Sequence, residues 1–170
     1  MKRLGLYLDV NNLYYTTSRK FGDRRKLSYE RLLDYFREIG EIKVAYAFGT
    51  QRETEASTFI YCLRKMGFTP RFRSIHELKM HGLWNVGLTV EVIKNVLAED
   101  VDTVVIGSSD ISLLPLLDWL IARGVGVMIC GSGVSRKLQA VAPYVEIPAS
   151  FLQMSEEKDE ESQSIEETSS

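Results

Sequence analysis

Thr103-Val104-Val105-Ile106-Gly107-Ser108-Ser109-Asp110-Ile111-Ser112-Leu113-Leu114-Pro115-Leu116-Leu117-Asp118 is the stretch that decides the fold. Its first four residues are uncharged and mostly β-branched, with no polar alternation, as expected of a parallel strand buried on both faces. Gly107 permits a sharp turn, and Ser108, Ser109 or Asp110 can cap the helix that follows. Leu113, Leu114, Leu116 and Leu117 give that helix its buried face. Pro115 suits a helix only in its first turn. Strand, turn and helix together put Asp110 at the carboxyl edge of a parallel sheet, where open α/β folds carry ligands. Asp110 is either an N-cap beside the helix dipole or the first carboxylate of a site.

A second strand ends in an acid in the same way: Leu4-Gly5-Leu6-Tyr7-Leu8-Asp9-Val10, followed by Asn11-Asn12-Leu13. Asn12 can donate and accept at once, which suits holding a carboxylate or a metal-bound water, although both asparagines also fit turn chemistry. The helix starting at Leu13 fades near Gly22, and residues 19–26 form a basic loop, either a phosphate contact or solvated surface. Ser28 caps a helix with Leu32, Leu33, Phe36 and Ile39 at helical spacing, ended by Gly40. Residues 42–48 form a strand, 53–66 a helix, and 68–75 an alternating strand nearer the sheet edge. Arg71 and Arg73, opposite Phe72, either meet a phosphate or shield that edge.

Residues 76–84 connect to a helix running from about Asn85, its expected cap, to Ala98; His76 and His81 read as surface residues. This helix is apolar nearly all round, so Glu91 should be partly buried or face a cleft and should need a partner. Residues 125–130 form another buried strand. Gly131-Ser132-Gly133 after it is either a phosphate cradle or a tight turn. Ser135 opens a short helix carrying Arg136 and Lys137, and residues 144–147 make a final edge strand stopped by Pro148. Alternating strands and helices predict a parallel α/β sheet with right-handed crossovers.

Composition limits the alternatives. The chain has 170 residues, 45% hydrophobic and 26% charged, as for one globular domain with a tail. The opening apolar run is too short for a signal peptide and no segment suits a membrane span, so a cytoplasmic location is expected. Cys62 and Cys130 read as two buried thiols rather than a disulfide or metal pair. The net charge of −2 conceals a division: residues 155–170 hold seven acids and one base, leaving 16 acids against 20 bases before them. The acidic end has one isolated Ile and no aromatic residue, and is expected to be disordered.

These residues resemble the NYN domain proteins of the LabA/DUF88 group, within the PIN-like nuclease superfamily. The resemblance covers residues 4–150 and is carried by Leu8-Asp9-Val10-Asn11-Asn12-Leu13, by the segment from Lys79 that ends Asn85-Val86-Gly87-Leu88-Thr89-Val90-Glu91, and by Gly107-Ser108-Ser109-Asp110-Ile111-Ser112-Leu113-Leu114-Pro115-Leu116. It implies a three-layer, Rossmann-like fold: a parallel sheet flanked by helices in residues 1–150, with 151–170 as an acidic tail. It also implies a ribonuclease using Mg²⁺ or Mn²⁺, with Asp9, Glu91 and Asp110 binding metal and Asn12 orienting a carboxylate or water. Lys79, Arg71, Arg73, Arg136 and Lys137 would then hold the RNA backbone.

Hard divalent cations suit that chemistry, because they prefer carboxylate oxygens while retaining waters and a substrate phosphate. The chain departs from the family pattern where Asn85, Glu91 and Ser112 stand at positions that commonly carry Asp. The rival expectation is therefore an NYN-fold module that binds RNA or a protein without cleaving. A small-molecule phosphohydrolase is disfavoured, because Asp9-Val10-Asn11 lacks a second Asp two residues on. A homodimer is compatible with the sequence.

Overall fold

The computed structural model describes residues 1–51, 56–74 and 84–154. Lys79, His76, His81 and the acidic segment 155–170 lie outside the described residues. The strands are β1 (Lys2–Asp9), β2 (Arg25–Leu27), β3 (Gly40–Gln51), β4 (Thr69–Ser74), β5 (Thr103–Gly107), β6 (Gly126–Gly131), β7 (Tyr144–Glu146) and β8 (Leu152–Met154). Six of them form one all-parallel sheet in the order β4-β3-β1-β5-β6-β7. The sheet is flanked by α1 (Val10–Phe21), α2 (Tyr29–Ile39), α3 (Ala56–Met66), α4 (Asn85–Leu97), α5 (Leu114–Ala122) and the short α6 (Arg136–Gln139).

Alternation along β1 builds both cores. Leu4, Leu6 and Leu8 face one layer with Leu13 of α1, Leu32 and Phe36 of α2 and Leu63 of α3. Tyr7 faces the other, with Leu88 and Val92 of α4 and Leu116, Leu117 and Leu120 of α5. All five residues of β5 are buried, which explains its unbroken apolar pattern. Truncating such a residue, for instance Ile106→Ala, would cost about 2–5 kcal/mol. Strands β4 and β7 close the two edges, as their sequences predict.

The strand order creates the feature that places the site. From β1 the chain moves outward to β3 and β4, then returns to β5 on the other side of β1 and continues to β6 and β7. Adjacent strands β1 and β5 therefore send their connections in opposite directions, which opens a crevice at their carboxyl ends.

Three expectations are corrected here. Gly107 does not adopt a positive φ; it ends β5, and a Cβ there would lie 2.5 Å from Leu8 Cδ2 and 3.2 Å from Leu13 Cδ1, so glycine is needed for close approach rather than for a turn. The basic stretch is not a loop: Arg19 and Lys20 belong to α1, and β2 pairs antiparallel with β8. Arg31 braces that pair by donating to the Ser150 and Leu152 carbonyls at 2.7 and 2.9 Å. Regular structure thus continues past residue 150 to Met154. Finally, Cys62 is exposed on α3, whereas Cys130 is buried and its thiol is pushed up to about 12 by burial, with the Glu146 charge adding to the effect.

Candidate functional site

Asp9 ends β1 and caps α1, its Oδ1 accepting the backbone N–H of Asn12 at 3.0 Å. Two asparagines then fasten the start of α1 to the neighbouring strands. The Asn11 side chain donates to Thr50 Oγ1 at 2.6 Å and accepts the Thr50 N–H at 3.1 Å, reaching β3. Asn12 Oδ1 accepts the Ser109 N–H at 2.9 Å, reaching the turn after β5. The Asn12 side chain therefore bridges the crevice through its carbonyl oxygen.

Asp110 follows β5 and caps the 3-10 turn Ile111–Leu113, its Oδ1 accepting the Ser112 N–H at 2.9 Å. Its other oxygen accepts from the Asn85 amide at 2.7 Å, and the same amide lies 2.6 Å from Ser112 Oγ. Asn85 is thus not the cap of α4. Trp84 precedes the helix without a side-chain capping bond, and the Asn85 side chain is drawn instead to the acid across the crevice.

The two acids titrate in opposite directions. Burial raises the Asp9 carboxyl, and the nearby Asp110 charge raises it further, against the lowering effect of the Asn12 and Asn11 amides. At Asp110 partial burial pulls upward, but the hydrogen bonds from the Ser112 backbone, the Asn85 amide and the Ser112 hydroxyl together hold the carboxyl below its usual range. Neither acid forms an ion pair with a described residue.

Glu91 does not join them. Six residues at 1.5 Å each carry it about 9 Å down α4 from Asn85. There it pairs with Lys94 at 3.4 Å and is 17% exposed. Among the described residues no group of three or more His, Cys, Asp or Glu side chains could hold a metal ion. The three-acid cluster implied by the resemblance is therefore replaced by a pair, Asp9 and Asp110, with Asn85 and Ser112 beside it. The partner that Glu91 needs is a lysine one turn along its own helix.

Arg136 and Lys137 are exposed on α6, beyond the end of β6. Arg71 and Arg73 lie on β4, where Arg71 Cζ is 5.6 Å from the Tyr46 ring centroid and Arg73 Cζ is 4.4 Å from that of Trp84. The Gly131-Ser132-Gly133 turn is already filled by the chain itself. Glu146 accepts the Gly133 N–H at 2.6 Å and the Val134 N–H at 3.5 Å, and pairs with Lys20.

The sequence matches the NYN domain model over residues 3–148. The chain belongs to the NYN domain family. Membership of the PIN-like superfamily follows, and with it a nuclease-like fold. A crystal structure of a protein of unknown function from Vibrio parahaemolyticus is similar, with a TM-score of 0.77 and 25% identity, covering 89% of this chain and 96% of that one. None of the curated proteins matches.

In this NYN domain several positioning residues escape a reading by motif. Thr50 and Trp84 act on groups distant in sequence, Trp84 by donating its Nε1–H to the Gly49 carbonyl at 2.6 Å. Glu146 had a usable signal, an acid on an edge strand after a glycine turn. The Glu91–Lys94 pair was also visible as i, i+3 spacing. No helix among the described residues is long and apolar enough to cross a membrane.

Proposed function

We propose that this NYN domain is a ribonuclease that hydrolyses RNA phosphodiester bonds with one Mg²⁺ or Mn²⁺ held between Asp9 and Asp110. The observation that carries this reading is a like-charged carboxylate pair at the β1/β5 crevice with no cationic partner among the described residues. The donor set fits one such ion, because Mg²⁺ commonly takes one or two protein carboxylates and completes its shell with water and substrate phosphate. Each carboxylate oxygen retains acceptor capacity beyond the hydrogen bond it makes. When bound, the ion supplies charge stabilisation at the phosphoryl oxygens and a water of lowered pKa.

The chain's own residues set the stage for that chemistry. Asp9 and Asp110 provide the negative charge, Asn12 fixes the width of the crevice, and Asn85 and Ser112 orient Asp110. Arg136 and Lys137, with Lys79, are the proposed contacts to the RNA backbone on the flanks.

A second reading is favoured by one contact. The Asn85 amide donates to the Asp110 oxygen where a family aspartate would bring a further charge, which suits a module that holds RNA without cleaving it. Labelled single-stranded and structured RNAs incubated with Mn²⁺, Mg²⁺ or EDTA separate the two, with Asp110→Asn as the control. Metal-dependent cleavage that disappears in Asp110→Asn is the expected result. RNA bound but uncut by both proteins would replace the nuclease with the binding module.

A further inference from the structure

Arg3, Arg31 and Arg37 show how arginines elsewhere in the domain are engaged. Arg3 donates to the Asp102 carboxylate and the Glu99 carbonyl, Arg31 to two backbone carbonyls, and Arg37 to Asp34. Arg71 and Arg73 differ. Neither forms a hydrogen bond or ion pair with a described residue, and each guanidinium is instead placed over an aromatic ring. A guanidinium carries five N–H donors and no acceptor, and stacking leaves its in-plane edge open to an anion.

Both rings are themselves held. Tyr46 stacks between Tyr7, at 5.6 Å and 8°, and Phe48, at 6.1 Å and 22°. Trp84 packs on Phe48 at 5.5 Å and is pinned by its hydrogen bond to Gly49. The arginines are therefore positioned before any ligand arrives, which lowers the entropy cost of a contact. Edge protection alone requires only a charge that discourages strand pairing. It does not account for two fixed platforms.

The register ties this face to the crevice. Asp9 pairs with Phe48, and Phe48 pairs with Arg71, so the acid and the first arginine share one row across β1, β3 and β4. Two strand spacings separate them, about 10 Å. Arg73 pairs with Thr50, the residue fastened to Asn11, and lies about 6.6 Å further along the same face of β4.

We propose that β4 is a backbone track for the substrate: Arg71 and Arg73, seated on Tyr46 and Trp84, take two phosphates of an RNA strand whose neighbouring segment lies in the Asp9–Asp110 crevice. This rests on the reading of RNA as the ligand of this domain. Contacts of this kind position a strand without reading its sequence.

The test is binding of a fluorescent oligouridylate in EDTA, followed by anisotropy over a salt series, so that no cleavage is required. The double variant Arg71→Gln/Arg73→Gln should bind more weakly. Its log–log salt slope should shrink by about 1.4, which is about 0.7 for each single-strand phosphate that is no longer neutralised. Arg73→Lys, which keeps the charge but not the flat fork, should keep the slope and bind more weakly. Arg37→Gln, distant on α2, should change neither, and thermal melts confirm that each variant is folded. An unchanged slope in the double variant would overturn the track while leaving the nuclease reading in place, and so would an equal weakening in Arg37→Gln. Absence of RNA binding by the unsubstituted protein removes both.

Discussion

Two turns at the carboxyl edge of the sheet are each held by an acid with a lowered pKa, and only one of them is closed. After β6, Glu146 fills the Gly131-Ser132-Gly133 turn by accepting two backbone amides and is neutralised by Lys20. After β5, Asp110 is also held by hydrogen bonds, but its charged neighbour is another acid, Asp9, and no lysine or arginine among the described residues pairs with either. Glycine and serine follow the strand in both places. The counter-charge decides the outcome: an acid that already has its cation is structural, and a pair without one retains the capacity to bind.

That contrast can be broken most forcefully at Asp110. Asp110→Asn should reduce RNA cleavage by at least ~100-fold, the upper end of what losing even an outer partner of a metal site costs. Its melting temperature should move little, because the Ser112 N–H still finds a carbonyl acceptor. Single-turnover cleavage in Mn²⁺ measures the first effect and a thermal melt the second.

Glu146→Gln should show the reverse pattern, with cleavage retained and stability reduced by about 1–2 kcal/mol, as expected when the acceptor of a partly solvent-screened, charge-assisted network is weakened. The pH dependence follows from the direction of its shift. Burial pulls the Glu146 carboxyl upward, but Lys20 and the Gly133 and Val134 amides together hold it below its usual range. The unfolded chain therefore takes the proton first. Its contribution is complete above the ordinary glutamate range and is lost as pH falls through the lower native value. Urea titrations at neutral and acid pH should show the difference between Glu146→Gln and the unsubstituted protein closing in acid.

Asn85→Asp sharpens the comparison by adding charge to the open site. It should raise Mn²⁺ affinity and lower stability in EDTA, because Asp110 loses an N–H donor and gains a like charge. Melts with and without Mn²⁺ should move apart by more than in the unsubstituted protein. Asp9→Asn should give a small gain in stability, about 0.5–1 kcal/mol, accompanied by loss of cleavage, as when a strained functional group is relaxed. Asp9 is raised rather than lowered, so its cost is full above the native pKa and disappears below the unfolded value. Urea titrations should accordingly show the stabilising effect fading as pH falls.

Much of the frame was legible because parallel strands buried on both faces leave continuous apolar runs; β1 and β5 are the examples, and the acids ending them marked the crevice. Interactions between distant segments were not. Asn85 read as a cap because local chemistry favours that role, yet its partner stands 25 residues away on another element. Glu91 sat in a family motif, but helix rise carries it away from the edge. The pairing of β2 with β8 gave no sign in a run of charged residues, since each strand has three residues and is held chiefly by a segment far along the chain.

That pairing has a consequence for how the molecule is made. Leu27 lies opposite Leu152, so the first crossover is completed by a strand synthesised long after it. At roughly 10 residues per second, the interval between them on a ribosome is on the order of ten seconds. During that time β2 has no strand beside it, and closure of this corner must await the emergence of β8.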